Sequence, residues 1–268
     1  MKGCIVYNHS LSNDSYTENV SLFADQSHLP AFSNKEMCSS HLGDIDFCIF
    51  LDKDITLAKF LEKRDTKVYN SSSAIETCDN KAYTYIALHN KVLMPKTTFS
   101  PLSYFEPVLV SPFSYPFVVK ECYGSWGKQV YLVHNSDEYK NVVRSFNNRP
   151  YIIQEYIEAA GTDYRLYTIG GKVVACMQRK NDNDFRANCE LGGVASAFVP
   201  SEEMIRIAET ASKELNLDFG GIDLMIDNQK NIYFVEANSS AQVVQLGKTT
   251  GVNIPKLLLD YIKKQLDF

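Results

Sequence analysis

Gly220–Ala241 reads GGIDLMIDNQKNIYFVEANSSA. Two β-rich runs, IDLMID and IYFVEAN, flank the polar cluster Asn228-Gln229-Lys230-Asn231, the pattern of a hairpin. A symmetric turn sets Asp227 opposite Ile232, and counting back places Asp223 opposite Glu236. Side chains alternate faces along a strand, so Asn238 joins them on one side. Directly opposed residues have Cβ atoms about 4.5–5.5 Å apart, and like charges there destabilise the pair. A cation is therefore expected between Asp223 and Glu236. Two carboxylates and an amide oxygen form the all-oxygen set that magnesium accepts, with waters and phosphate oxygens completing the shell. The residues alone leave open a solvated hairpin with scattered acids, because a one-residue slip sends the partners to opposite faces.

The chain around this hairpin has 268 residues and a net charge of -5, enough for one large domain or two to three small ones. Its composition, 45% hydrophobic and 22% charged, is that of a globular protein. The mildly acidic balance lacks the basic footprint of a nucleic-acid binder. A transmembrane run of roughly 18 apolar residues is absent. MKGCIVYNHS at the start is too weakly apolar for a signal peptide. Seven cysteines without a CxxC pair suggest reduced thiols and a cytoplasmic protein. The five histidines lie far apart and give no zinc motif.

The first third reads as α/β. GCIVY (3–7) and IDFCIF (45–50) are short apolar runs typical of strands buried on both faces, with a polar, irregular stretch at 8–44 between them that carries weak helical periodicity around Asn19 to Asp25. A helix at Ile55–Glu62 and a strand at Lys67–Asn70 complete a strand–helix–strand unit expected to pair in parallel. Asp79 is the expected N-cap of a helix running through Ala82 and Ile86. Pro101, Pro107, Pro112 and Pro116 suggest a linker into a second unit, where FVVKE (117–121) and KQVYLV (128–133) form a hairpin. A helix at Asp137–Phe146 capped by Ser136 and a strand at Tyr151–Ile157 follow. Strands at Tyr164–Ile169 and Lys172–Arg179 meet at Gly170-Gly171, a hairpin turn signal. Helices from Ser201 and Ile254 carry apolar stripes that read as core. The expected division is 1–95, 96–157 and 158–268.

Three further segments carry chemistry. In PFVVKECYGSWGKQVYLV, Lys120 ends an apolar strand before a loop with Gly124 and Gly127, whose backbone N–H groups can cradle phosphate oxygens. The loop could equally be an ordinary turn, and it lacks a P-loop ending. QEYI (154–157) leads out of one unit with backbone groups able to read an adenine edge, and Asp163 could accept from ribose hydroxyls. The alternative there is a structural strand with a surface Asp–Arg pair. In QRKNDNDFRANCELGG, Arg179, Lys180 and Arg186 are expected to converge where an anionic substrate meets a nucleotide, or to form a solvated basic loop.

Taken in order, these segments resemble the ATP-grasp superfamily, and most closely its RimK-type carboxylate–amine ligases, which include α-L-glutamate ligases. NSSSAIETCDNKAYTYIAL, FVVKECYGSWGKQV, IIQEYIEAAGTDYR, DFRANCELGG, GGIDLMID, YFVEANSS and GKTTGVNI carry the resemblance from about Asn70 to Asp267. It implies an ATP-grasp fold of α/β and α+β parts: a short N-terminal α/β pre-ATP-grasp domain, a small subdomain with the glycine loop, and a C-terminal subdomain with the metal site. It also implies ATP and magnesium, with manganese as an alternative. Lys81 and Lys120 would contact phosphates beneath the loop Gly124, Ser125, Trp126 and Gly127. Gln154, Glu155, Tyr156 and Ile157 would line the adenine pocket, with Asp163 near the ribose. Arg186 and Asn188 would sit by the γ-phosphate and substrate carboxylate, and Asp223, Glu236 and Asn238 would hold the metal. Arg186 and Lys120 are the implied catalytic residues.

The chain departs from the family in three places. Glu190-Leu191-Gly192-Gly193 stands where His-Arg-Gly-Gly is common, removing positive charge. Asn238-Ser239-Ser240-Ala241 replaces Asn-Ala-Ser-Pro, and Ser10–Asp44 is short for a first α/β unit. The implied activity is ATP-dependent joining of a carboxylate to an amine of an amino acid or peptide through an acyl phosphate, releasing ADP and phosphate. A small-molecule kinase and a non-catalytic ATP-binding module are the alternatives. Expected partners are small-molecule or peptide substrates, with no nucleic acid, no membrane, and a homodimer left open.

Overall fold

The computed structural model describes residues 2–11, 13–39, 44–100, 113–124 and 126–266. Ser125 and the expected linker prolines Pro101, Pro107 and Pro112 lie outside them. The chain opens with β1 (Gly3–Tyr7), α1 (Asp14–Ser27), β2 (Ala31–Ser33), α2 (Asn34–Ser39), β3 (Phe47–Leu51), α3 (Ile55–Glu62) and β4 (Lys67–Tyr69). These strands form a parallel sheet in the order β2-β1-β3-β4. Every residue of β3 is buried, as its unbroken apolar run requires. The weak helical periodicity around Asn19 to Asp25 belongs to α1, which extends well beyond it and whose N-cap Asn13 accepts from the Tyr16 N–H at 2.8 Å.

Two helices follow, α4 (Ser72–Asp79) and α5 (Lys81–Leu88). The cap of α5 is Asn80 rather than Asp79: its Oδ1 accepts from Ala82 N and Tyr83 N, while Asp79 turns to Lys53. A second sheet, ordered β5-β8-β6-β7, comes from β5 (Thr97–Phe99), β6 (Phe117–Glu121), β7 (Val130–Val133) and β8 (Tyr151–Glu155), with α6 (Ser136–Ser145) between the last two. Asn135, not Ser136, caps α6 by accepting from Asp137 N and Glu138 N. Phe117 and Val119 pack with Tyr139 and Val143 of α6, so alternation turns Val118 and Lys120 to the other face.

The third sheet is antiparallel, ordered β11-β10-β9-β12-β13, from β9 (Thr162–Ile169), β10 (Lys172–Lys180), β11 (Val194–Ala197), β12 (Phe219–Ile226) and β13 (Ile232–Asn238). Gly170 and Gly171, both at positive φ, make the β9–β10 turn. On one face Leu166, Ile222 and Leu224 pack under α7 (Glu202–Glu214) together with Ala74 and Cys78 of α4. On the other, Tyr167, Met177 and Phe219 share a core with Ile5 and Ile49 of the first sheet and with α8 (Val244–Thr250) and α9 (Ile254–Gln265). The first and third sheets thus bury a common apolar interior.

Candidate active site

The charged residues of the site continue the face of the third sheet that carries this shared core. Asp163 and Arg165 precede Tyr167 by even steps on β9, Arg179 follows Met177 on β10, and Asp223 follows Phe219 and Gly221 on β12. One face is apolar at one end and ionic at the other. Asp223 lies directly opposite Glu236, and Asn238 opposite Gly221. The pairing arises differently from the symmetric count: Ile226, not Asp227, faces Ile232, and an irregularity between Asp223 and Leu224 restores the register.

Asp223 is buried, and both its oxygens accept from guanidinia: Arg165 Nε at 2.8 Å, Arg165 Nη2 at 2.7 Å and Arg179 Nη2 at 2.9 Å. Arg179 also donates to both oxygens of Asp163, at 2.6 and 2.7 Å. Two acids therefore share Arg179, and Asp223 alone has a second arginine. Burial by itself would raise both; at Asp223 the guanidinia of Arg165 and Arg179 outweigh it and hold the carboxyl below its usual range. At Asp163 burial, helped by the neighbouring Asp223 carboxylate, wins over Arg179, and the carboxyl is pushed up. Asp163, partly exposed, is thus the partner of buried Arg179 and forms no ion pair with Arg165 among the described residues. Lys180 does not join Arg179: adjacent strand residues face opposite ways, and Lys180 reaches Asp182, while Arg186 pairs with Asp184.

A cavity of about 100 Å³ separates the second and third sheets. Lys81, Lys120, Gly127, Gln154, Glu155, Tyr156, Ile157, Asp163, Arg186, Asn188, Asp223 and Glu236 all line it. Lys120 is 9% exposed. Burial lowers its ammonium to about 8, against the pull of Glu236 and with the push of Lys81. Lys81 Nζ stands 3.3 Å from Glu236 Oε1 and donates to Gly124 O at 3.0 Å, which is how Gly124 joins the site without lining the cavity. Gln154 Nε2 donates to Thr97 Oγ1, Glu155 accepts from Lys96 N, and the Tyr156 ring meets Phe185 edge-on at 6.5 Å.

The loop between β6 and β7 is docked on this cavity. Arg186 Nη1 donates to Gly127 O at 2.7 Å and Val130 O at 3.3 Å. Gly127, at φ +70°, leaves no room for a side chain, since a Cβ would lie 2.8 Å from Asn188 Oδ1. Trp126 lines a second cavity of about 270 Å³, shared by Asn188, Glu236 and Asn238, that extends to the first sheet.

The donor set suits a hard divalent cation. Asn238 lines the larger cavity with its amide, whose oxygen is the atom a cation would take, and among the described residues Glu236 has only Lys81 as an ion-pair partner. Both face the cavities beside the rigidly held Asp223. Among the described residues no three His, Cys, Asp or Glu side chains cluster as a metal site. Sequence reading missed Arg165 and the part played by Arg179. Even spacing from Tyr167 and Met177 is the signal that places both on the Asp223 face.

A family model for the RimK-like ATP-grasp domain matches residues 84–262, about two-thirds of the chain. The chain is 29% identical over 251 residues to the uncharacterised protein MG012 of Mycoplasma genitalium, covering 88% of this chain and 83% of that one. It is 30% identical over 217 residues to human N-acetylaspartylglutamate synthase A, covering 78% of this chain and 56% of the synthase. A D-alanine–D-alanine ligase from Bacillus anthracis complexed with ATP shares the fold, with a TM-score of 0.77 at 16% identity over 98% of this chain and 96% of that one. With its glycine loop, paired lysines and opposed acids in sequence order, the chain belongs to the RimK-like ATP-grasp family.

Proposed function

We propose that the two cavities serve one reaction, nucleotide in the smaller and acceptor substrates in the larger. The protein is an enzyme, an ATP-dependent carboxylate–amine ligase that uses ATP and magnesium. The reading is carried by the opposition of Asp223 and Glu236 beneath Lys81 and Lys120 in one cavity. Asp223, Glu236 and Asn238 would hold the cation, which when bound neutralises phosphate charge; manganese would serve in its place. Lys81 and Lys120 bind and orient the phosphates. Gln154 to Ile157 seat the adenine with Asp163 beside the ribose, and Gly124 to Gly127 cover the phosphates and exclude water. A substrate carboxylate oxygen attacks the γ-phosphorus, ADP leaves, and the amine nitrogen then attacks the acyl carbon and expels phosphate. Arg186 and Asn188 stabilise the developing charge.

Nothing in the site calls for a covalent enzyme intermediate. Burial pushes the thiols of Cys4, Cys78 and Cys176 up to about 12 and that of Cys122 up to about 11, so they stay protonated at neutral pH. These unpaired thiols support a reducing, cytoplasmic setting. No helix among the described residues is long and apolar enough to cross a membrane. The proposed division remains 1–95, 96–157 and 158–268, with amino-acid or peptide substrates and no nucleic-acid partner. Screening amino acids and peptides for ADP release, followed by product mass, tests the reaction. Glu236→Gln should cut turnover by about 100-fold or more while circular dichroism stays unchanged. Undiminished ATP consumption by that variant would reject the assignment.

A further inference from the structure

The first sheet presents an unused feature at the edge of the larger cavity. Its chain leaves β1 for β2 on one side and for β3 on the other, so the strand order reverses between β1 and β3. In open α/β sheets ligands settle in the crevice beyond the carboxyl ends of the strands at such a reversal. The residues directly after these strands are Asn8 and Asp52, and Asn8 Nδ2 donates to Asp52 Oδ1 across the crevice at 2.8 Å.

Asp52 is only 3% exposed yet lines the 270 Å³ cavity. Its other donors are neutral: Asn34 Nδ2 at 2.9 Å and the Lys53 backbone N–H at 2.7 Å. No lysine, arginine or histidine among the described residues forms an ion pair with it, and burial pushes its carboxyl above the usual range. A buried carboxylate normally has a cation beside it. The cations around the same cavity are engaged elsewhere, Arg165 and Arg179 with Asp223 and the Lys53 ammonium with Asp79. Glu190 adds another acid to the wall.

We propose that one of the two substrates carries an ammonium group, separate from the reacting centre, that docks on Asp52. This rests on the ligase reading and adds the class of substrate: a diamino compound such as a basic amino acid, or a peptide bearing one. A carboxylate favours the protonated form of the amine it holds, so the docked nitrogen keeps its proton and cannot be the nucleophile. The reacting amine or carboxylate of the same molecule then lies toward Glu236 and Asn238.

The test uses the full chain with ATP and magnesium and compares size-matched pairs: lysine with norleucine, ornithine with norvaline, cadaverine with pentylamine, and glutamate as the opposite charge. The member with the additional ammonium should stimulate ADP release with kcat/KM about 10- to 100-fold above the partner that lacks it, the range of a charged hydrogen bond. Asp52→Asn should shrink that preference to near unity through substrate KM, leaving KM for ATP unchanged. The wild-type comparison stands even if the variant folds poorly. Equal stimulation within every pair, preference for glutamate, or no response to any member would overturn the proposal. Calorimetry separates the two levels: wild-type protein that fails to bind ATP with magnesium contradicts the ligase reading itself, whereas intact nucleotide binding with indifference to charge contradicts only the role of Asp52.

Discussion

Lys120 has its charge poised by its surroundings. Its ammonium titrates at about 8 instead of 10.5, because burial outweighs the attraction of Glu236. Below pH 8 the folded and unfolded chains both hold the proton and the burial cost is felt in full. Between the folded value and 10.5 the unfolded chain binds more protons, so this residue's contribution to stability rises with pH. Nucleotide phosphates favour the charged form, so ATP binding should take up a proton near pH 8 and weaken above it. Calorimetry in buffers of different ionisation enthalpy measures that uptake; Lys120→Met should abolish it and weaken binding about 10- to 100-fold at pH 7. Arg179 raises a different question, since Asp163 and Asp223 both lean on it. Arg179→Met leaves Asp163 without its ion-pair partner and buried Asp223 with Arg165 alone, and should cost about 3 kcal/mol in urea unfolding, the lower end for breaking a buried pair; a loss under about 1 kcal/mol would mean the network is hydrated.

Among the elements, the glycine loop depends on a residue remote in sequence. Arg186 ties down Gly127 O and Val130 O while Asp184 holds the rest of its guanidinium. Arg186→Gln should free the loop, and trypsin should then cut after Lys128 several-fold faster, whereas ATP with magnesium protects the native chain. Equal cleavage of the two proteins would show that the loop holds itself. Elements with strong local signals were legible from sequence: the helix Ile55–Glu62, the strand Phe117–Glu121 and the Gly170-Gly171 turn stand where periodicity and turn chemistry put them. The short strands Ala31–Ser33, Thr97–Phe99 and Val194–Ala197 were not, because each owes its conformation to a neighbouring strand. The Asp223–Glu236 pairing was reached through two compensating errors, a turn one residue out and an unseen irregularity. Face alternation could have revealed the Arg165–Asp223 contact, but only once the order of strands in the sheet was known.

Across the whole molecule, the alignment of the first sheet with the third decides whether Asp52 and Glu236 can face one cavity. Apolar burial joins the sheets but is non-directional. Orientation comes from Asn70, fully buried after β4: its Nδ2 donates to Phe219 O at 2.8 Å and Ser239 O at 2.7 Å, while its Oδ1 accepts from Asp218 N at 2.7 Å and Phe219 N at 3.1 Å. One amide thus fixes the start of β12 and the end of β13, the two strands that carry Asp223 and Glu236. Asn70→Leu keeps nearly the same volume, so no large cavity confuses the result, but four backbone groups lose their partner. Each buried unsatisfied group costs about 1–3 kcal/mol, and some will find water, so a loss of at least about 3 kcal/mol is expected in urea unfolding. Because the sheets would then pack without a fixed angle, substrate-stimulated ADP release should fall further than ATP affinity, which rests on the second and third sheets alone. Full ADP release in a variant destabilised to that degree would show that apolar packing suffices to align the two cavities.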